Sequence, residues 1–244
     1  HKGNLGVGVA HPTSRFEVAG ADGLQEYPPK AMTAAETYIE GHGVFRASSS
    51  PIYNNIYPAY KAFDKSIPNN TTSNQWVSQS GSYDDASPQS FPVTSGVQAV
   101  LFQGTYGSWI QLSLPYKILL KKMVSFIRLN RGYEHATSGI LYGSNDEGGT
   151  YEIVYTFEGV SVSDVLTAGV HHEINATKAY SMYTFQITKL EGQRAWTVLG
   201  ELKFFGTPAP SSLDDGHLTL GKALTLPRVS GHPAGAETPR AESL

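Results

Sequence analysis

Trp109-Ile-Gln-Leu-Ser-Leu114 decides the fold. It is short and rich in large apolar side chains that alternate with polar ones, the pattern of a half-buried β-strand. Runs of the same β-prone kind recur on both sides of it. They are Gly43–Ala47, Val97–Phe102, Met123–Asn130, Gly139–Ser144, Tyr151–Phe157, Tyr180–Thr188 and Gly200–Phe205. Turn formers punctuate them: Ser87-Pro88, Gly104-Thr-Tyr-Gly107 and Asn145-Asp-Glu-Gly-Gly149. One short helix is expected near Pro58–Phe63, and a turn near Asp164–Leu166. Eight or so strands at this spacing predict an all-β sandwich or barrel.

Outward from this core the composition changes. Residues 31–207 hold all three tryptophans and most of the tyrosines and phenylalanines, and form the expected domain. Residues 1–30 and 208–244 are rich in Gly, Pro, Ala and Ser and too poor in large side chains to bury a core alone. The abrupt ends suggest a piece of something longer. Among 244 residues there is no cysteine, which excludes a thiol nucleophile and a disulfide framework. Charged residues are 16%, against roughly a quarter in typical domains, and the net charge is −3. Nothing basic argues for nucleic acid or anionic lipid, and no apolar run is long enough for a membrane helix. Hydroxyls, amides and tyrosine suit polar ligands.

Taken in order, the motifs resemble the discoidin family (coagulation factor five/eight type C, galactose-binding-like). Val44-Phe-Arg-Ala-Ser-Ser-Ser50 is followed by Ala59-Tyr-Lys-Ala-Phe-Asp64 and Trp76-Val-Ser78. Then come Trp109–Leu114, Phe126-Ile-Arg-Leu-Asn-Arg131, Tyr142-Gly-Ser-Asn-Asp-Glu-Gly148 and Leu199-Gly-Glu-Leu-Lys-Phe-Phe-Gly206. The resemblance implies a discoidin-like jelly-roll β-sandwich that binds carbohydrate without turnover. The chain departs from the family at Lys65, where a glycine is usual, and in a long loop from Ser78 to Val97. Gly3-Asn-Leu-Gly-Val-Gly-Val9, with Phe16-Glu-Val18, and Leu218-Thr-Leu-Gly-Lys-Ala-Leu-Thr-Leu-Pro-Arg228 resemble stalk segments of phage and large-virus fibres. That likeness implies a homotrimer on a virion or cell exterior, because alternating strands that cannot bury an apolar face in one chain can do so around a threefold axis. A disordered linker is the plainer reading of the same residues.

Two sites follow from the resemblance. The family's sugar binders often hold a structural Ca2+, and Ca2+ takes six to eight hard oxygens. Asp64, Asn69, Thr72 and Glu201 are the implied ligands, with Asn70 and Thr71 adding oxygens nearby. The alternative is that Asp64 caps a turn and Glu201 pairs with a cation such as Lys65. Ligands meet the loops at one end of such a sandwich: here Ser50–Tyr60, Ser78–Ser95, Arg131–Ser138 and Glu191–Val198. These carry Tyr53, Tyr57, Tyr83, Arg131, His135, Arg194 and Trp196. Aromatic planes stack on the C–H faces of pyranose rings, and charged groups bind their hydroxyls. A core position for Trp196 is the competing reading; Trp76 and Trp109 are expected in the core. No serine elbow, zinc motif, phosphate loop or dinucleotide glycine pattern appears. His171-His172 is expected on an exposed strand edge, and Asp84-Asp85 in a solvated turn. Asn69, Asn70 and Asn175 begin glycosylation triplets. The expected partner is therefore a cell-surface glycan or glycoprotein. The alternatives are a carbohydrate-binding module of a larger secreted glycosidase, or a capsid or envelope component facing protein neighbours.

Overall fold

The computed structural model describes residues 24–66, 73–84, 90–127, 132–160, 169–192 and 194–209, together with the backbone of 5–7 and 16–18. Residues up to Ala209 form one compact unit; a second, from Pro210, lies outside the described residues.

One strand organises the domain. Trp109–Phe126 runs for 18 residues, where the sequence predicts two separate runs. Its first part, Ile110–Ser113, pairs with Gly43–Ser49 on one side and with Tyr180–Leu190 on the other. The register breaks between Ser113 and Ile118, around Pro115. A proline has no N–H for the ladder, so pairing is interrupted there. The second part, Ile118–Phe126, then pairs with Glu201–Pro208 and, at its far end, with Val170–Glu173. The strand thus carries one continuous nine-stranded sheet from one layer of the sandwich into the other, and the two layers are called the first and second sheets. The first sheet is completed by Glu36–Ile39, Ala136–Ser144 and Glu152–Phe157. The second is completed by Gln25–Tyr27, whose register sets Gln25 opposite Gly206. All of these pairings are antiparallel.

The two sheets pack face to face. Ile110, Leu112, Tyr183 and Phe185 from the first meet Ile118, Leu120, Leu202 and Phe204 from the second, all fully buried. Tyr183 and Phe204 lie 5.8 Å apart between ring centres, and the Tyr183 hydroxyl donates to Ile118 O at 2.7 Å. The architecture is the expected all-β sandwich. The only helices among the described residues are two 3-10 turns, Ala59–Phe63, as expected, and Gly132–Glu134. None is long and apolar enough to cross a membrane.

Several positions differ from expectation. The sandwich begins before residue 31, because Gln25–Tyr27 is one of its edge strands and Tyr27 is buried. Trp76 lies in the core, but Trp109 does not. Side chains alternate along a strand, so with Ile110, Leu112 and Leu114 facing inward, Trp109 faces out. It is covered there by Phe102, 5.3 Å away, in an aromatic cluster with Tyr142 and Tyr151. Of the adjacent histidines, only His171 is exposed; His172 is buried between the sheets' edges against Phe157, 4.4 Å away. Asp84 is exposed, but on a short strand opposite Phe91 and not in the expected turn; Asn175 is exposed, whereas Asp85, Asn69, Asn70 and Asp164–Leu166 lie outside the described residues. In the flanks, Leu5–Val7 pairs in parallel with Phe16–Val18 of the same chain. The tail strand lies outside the described residues.

Candidate functional site

Hydrogen bonds draw the loops at one end of the sandwich together. Tyr53 N–H donates to Val77 O at 3.0 Å, and Gln79 N–H to Pro51 O at 2.8 Å. Ser78 N–H donates to Thr197 O at 3.1 Å, and Thr197 N–H returns a bond to Ser78 Oγ at 3.0 Å. Thr197 Oγ1 donates to Glu134 O at 3.2 Å. Ser90 Oγ accepts from Arg194 N–H at 2.7 Å and donates to Gly192 O at 2.8 Å. Each of the four loops expected at the ligand end contributes to this mesh. Every bond satisfies a group that the irregular backbone would otherwise leave unpaired. Two short strands, Trp76–Val77 and Val198–Leu199, form a ladder beneath them.

A cavity of about 180 Å³ opens above that ladder, lined by Tyr53, Tyr57, Gln75, Val77, Trp196 and Val198. The Tyr53 ring centre lies 5.8 Å from that of Trp196 and 6.3 Å from that of Tyr57. Tyr53 is half exposed and Trp196 partly buried, so the indole is a cavity wall and not a core residue. Arg194 stands two residues before Trp196. Its guanidinium carbon lies 4.2 Å from the centre of the Tyr133 ring and 5.8 Å from that of Trp196. Such cation–π contacts hold a guanidinium flat and fix its orientation.

The structure therefore brings together Tyr53, Tyr57, Arg194 and Trp196. It moves two expected ligand residues elsewhere. Tyr83 is 1% exposed. Its hydroxyl donates to Ile187 O at 2.9 Å and accepts from Ser108 N–H at 3.2 Å. The phenol is thus a strut between two strand ends, and burial raises its pKa. His135 is also 1% exposed, with neither ring nitrogen hydrogen-bonded among the described residues. Burial, and then the neighbouring His172, lower its pKa from 6.5 to about 4. Neither side chain can reach a ligand in solvent. Arg131 lies outside the described residues. The sequence reading missed Gln75, Tyr133 and the two valines. The i, i+2 spacing of Arg194 and Trp196 on an extended segment was the available signal that both face one way.

The expected cation corner is in part assembled. Asp64 accepts from Ser66 N–H at 2.9 Å, so it does cap its turn. Lys65, where the family has glycine, adopts φ +64, the left-handed region that glycine enters without strain. Its ammonium pairs with Glu26, which also lies 3.7 Å from Lys203. Glu201 is 1% exposed, and neither carboxylate oxygen has a hydrogen-bond partner among the described residues. Burial pushes its pKa up to about 8, against the pull of Lys65 and with Asp64 adding repulsion. Asp64 is raised as well, chiefly by burial. No group of three or more His, Cys, Asp or Glu gathers around a common point among the described residues. Asn69 and Thr72 lie outside them.

No family profile matches the chain, and no curated protein matches it in sequence. Among solved structures it is similar to the CpGH89 CBM32-5 module of Clostridium perfringens in complex with GalNAc-β-1,3-galactose. That pair is 15% identical over 66% of this chain and 95% of that one, with a TM-score of 0.46. A family 32 module from NanJ of C. perfringens, in complex with galactose, is 13% identical over 66% and 93%, with a TM-score of 0.42. A serum fucolectin of striped bass, Morone saxatilis, is 13% identical over 69% and 48%, with a TM-score of 0.46.

Proposed function

We propose that this chain is a non-catalytic glycan-binding domain and that the loop-end cavity is its ligand site. The observation that carries this reading is the aromatic enclosure itself. Tyr53, Tyr57 and Trp196 line one small cavity, with the Arg194 guanidinium beside the Trp196 ring. Burying aromatic area against the apolar faces of a sugar ring supplies affinity, and polar groups at the rim select its hydroxyls. The mechanism is recognition without turnover. A glycan array, followed by titration of its best ligand into the wild-type chain and Trp196→Ala, tests this. Loss of at least about tenfold in affinity, roughly 1.4 kcal/mol, is expected for the variant. Unchanged binding sinks the assignment.

We propose further that the domain acts at a cell or virion surface as the head of a trimeric fibre, using the flanking segments as stalk. Three shallow sites on one particle raise avidity through effective concentration. Light scattering is expected to give three times the 26.4 kDa chain mass; a single chain's mass overturns this part.

A structural Ca2+ completes the proposal, held by Asp64 and Glu201. A buried carboxylate without hydrogen-bond partners is the donor that a hard cation seeks, which supports the fit. When bound, the ion supplies order to the loop after Asp64. Removal by EDTA is expected to lower the melting temperature, and an unchanged melt refutes the ion.

A further inference from the structure

The turn behind the ligand end is built around buried imidazoles. Gly132–Glu134 runs into His135, and three hydrogen bonds fasten this segment to the loop that carries Arg194 and Trp196. Glu191 N–H donates to His135 O at 2.9 Å, Gly192 N–H to Tyr133 O at 3.0 Å, and Thr197 Oγ1 to Glu134 O at 3.2 Å. The contact is close: a Cβ on Gly192 would lie 2.5 Å from that of Tyr133. The Tyr133 ring in turn carries the Arg194 guanidinium, 4.2 Å away. His135 is 1% exposed and the neighbouring His172 3%. Both ring nitrogens of His135, Nε2 of His172 and Oγ1 of Thr137 have no hydrogen-bond partner among the described residues. A histidine buried for structure alone ordinarily spends a ring N–H on a carbonyl or carboxylate. His172 instead packs on Tyr155 and Phe157, with ring centres 5.7 and 4.4 Å away. Such a site holds a neutral imidazole and gives a charged one nothing to bind.

We propose that His135 and His172 form an acid-operated latch: protonation of the rings lifts the Gly132–His135 turn, takes the brace from Arg194 and frees the ligand end while the sandwich stays folded. The opening itself needs no ligand; its use, release of a bound glycan at acid pH, rests on the glycan-binding reading above. On the elements packed against His135 the ionisable groups are Glu134 of its own turn, Lys189, Glu191 and Arg194 of the facing strand end and loop, His171 and His172 of Val170–Glu173, and Tyr155. Burial first, and His172 second, lower the His135 pKa from 6.5 to about 4. An exposed ring therefore takes up a proton below about pH 6.5 and the seated ring only below about 4, so acid favours the open form throughout that window. For His135 alone the open-to-closed ratio rises about 30-fold between pH 7.5 and 5, and exposure of His172 adds to it. The opening can be local because Tyr133, Glu134 and His135 lie outside the main core cluster and precede the strand Ala136–Ser144.

Hydrogen exchange of the full chain, followed by NMR from pH 7.5 to 5, tests this, because the Glu191 and Gly192 amides make the latch bonds themselves. Corrected for intrinsic exchange, their protection is expected to fall about 30-fold across the range. It is also expected to stay below that of the Tyr183 and Phe185 amides, in the middle of the first sheet, at every pH. His135→Phe keeps a ring without titrating nitrogens and is expected to remove most of the fall. The wild-type profile needs no substitution, so it decides even if the variant misfolds. Protection that is flat with pH overturns the proposal. So does protection equal to that of Tyr183 and Phe185, which would mean that the turn opens only when the whole sandwich unfolds. An undiminished fall in His135→Phe overturns it as well. A saturating glycan, the best found on the array, is expected to restore the protection at pH 5. If the fall is present and no sugar restores it, the latch stands and the glycan reading fails.

Discussion

His172 should make the fold acid-sensitive, and by a calculable amount. The ring is 3% exposed and packed against Phe157 and Tyr155. Burial, and secondarily His171, hold its pKa at about 4 where an unfolded chain has 6.5. The neutral ring is therefore the folded form. Above pH 6.5 both states are neutral and its contribution to stability is complete. As the pH falls from 6.5 towards 4, the unfolded state takes up a proton that the folded state refuses, and stability is lost. A gap of 2.5 pKa units at about 1.36 kcal/mol each amounts to about 3 kcal/mol by pH 4. The perturbation is His172→Gln, which keeps polarity and removes the titration. The assay is urea unfolding of both proteins at intervals from pH 7.5 to 4. Because the readout is the difference between two curves, groups not coupled to His172 cancel; His135, whose pKa is lowered in part by His172, is depressed less in the variant and adds to the difference in the same direction. The wild type should lose about 3 kcal/mol relative to the variant across it. Parallel curves, or an NMR titration placing the His172 pKa near 6.5, would refute the reasoning.

Three further outcomes follow from the geometry. At pH 9, above the Glu201 pKa of about 8, Glu201→Gln removes a buried charge, so in EDTA it should raise the melting temperature; in Ca2+ the wild type should melt higher than the variant if the ion binds, and differential scanning fluorimetry reads both. Tyr83→Phe leaves Ser108 N–H and Ile187 O without their shared hydroxyl and should cost about 1–3 kcal/mol in urea unfolding, with glycan affinity unchanged; weakened binding with full stability would return Tyr83 to the ligand site. Gly107→Ala places a methyl 2.1 Å from Ile187 O at φ +148 and should cost about 3 kcal/mol, seen as a lower urea midpoint; a stable variant would mean that the Gly107 turn is wrongly placed.

Alternation made the strands legible, because a pleated chain buries every second side chain. Ile110, Leu112 and Leu114 are inside for this reason. The same rule, applied strictly, would have put Trp109 outside; size and motif membership pointed the other way. The union of two predicted runs into one strand was not legible. Pro115 and the turn-like residues around it mark a gap in pairing, and only the partner strands decide whether the chain turns or continues. Residue type and loop position pointed to Tyr53, Arg194 and Trp196, which the structure sets beside one another at the loop-end cavity. Tyr83 and His135 were misplaced by the same logic, since a loop folded under its neighbours looks in sequence like one open to water. Gln75 escaped because nothing in Asn74-Gln75-Trp76 distinguishes a buried amide from a solvated one.

The pairing of Gln25 with Gly206 gives the domain a foot and a crown. Chain entry and chain exit lie side by side on neighbouring strands. The aromatic cavity sits where Val198 leads into Glu201–Pro208, at the opposite end of that strand. Five residue steps from Glu201 to Gly206, at about 3.3 Å each, separate the two by roughly 17 Å. The loop-end cavity therefore lies at the pole opposite the point where the described chain enters and leaves the sandwich.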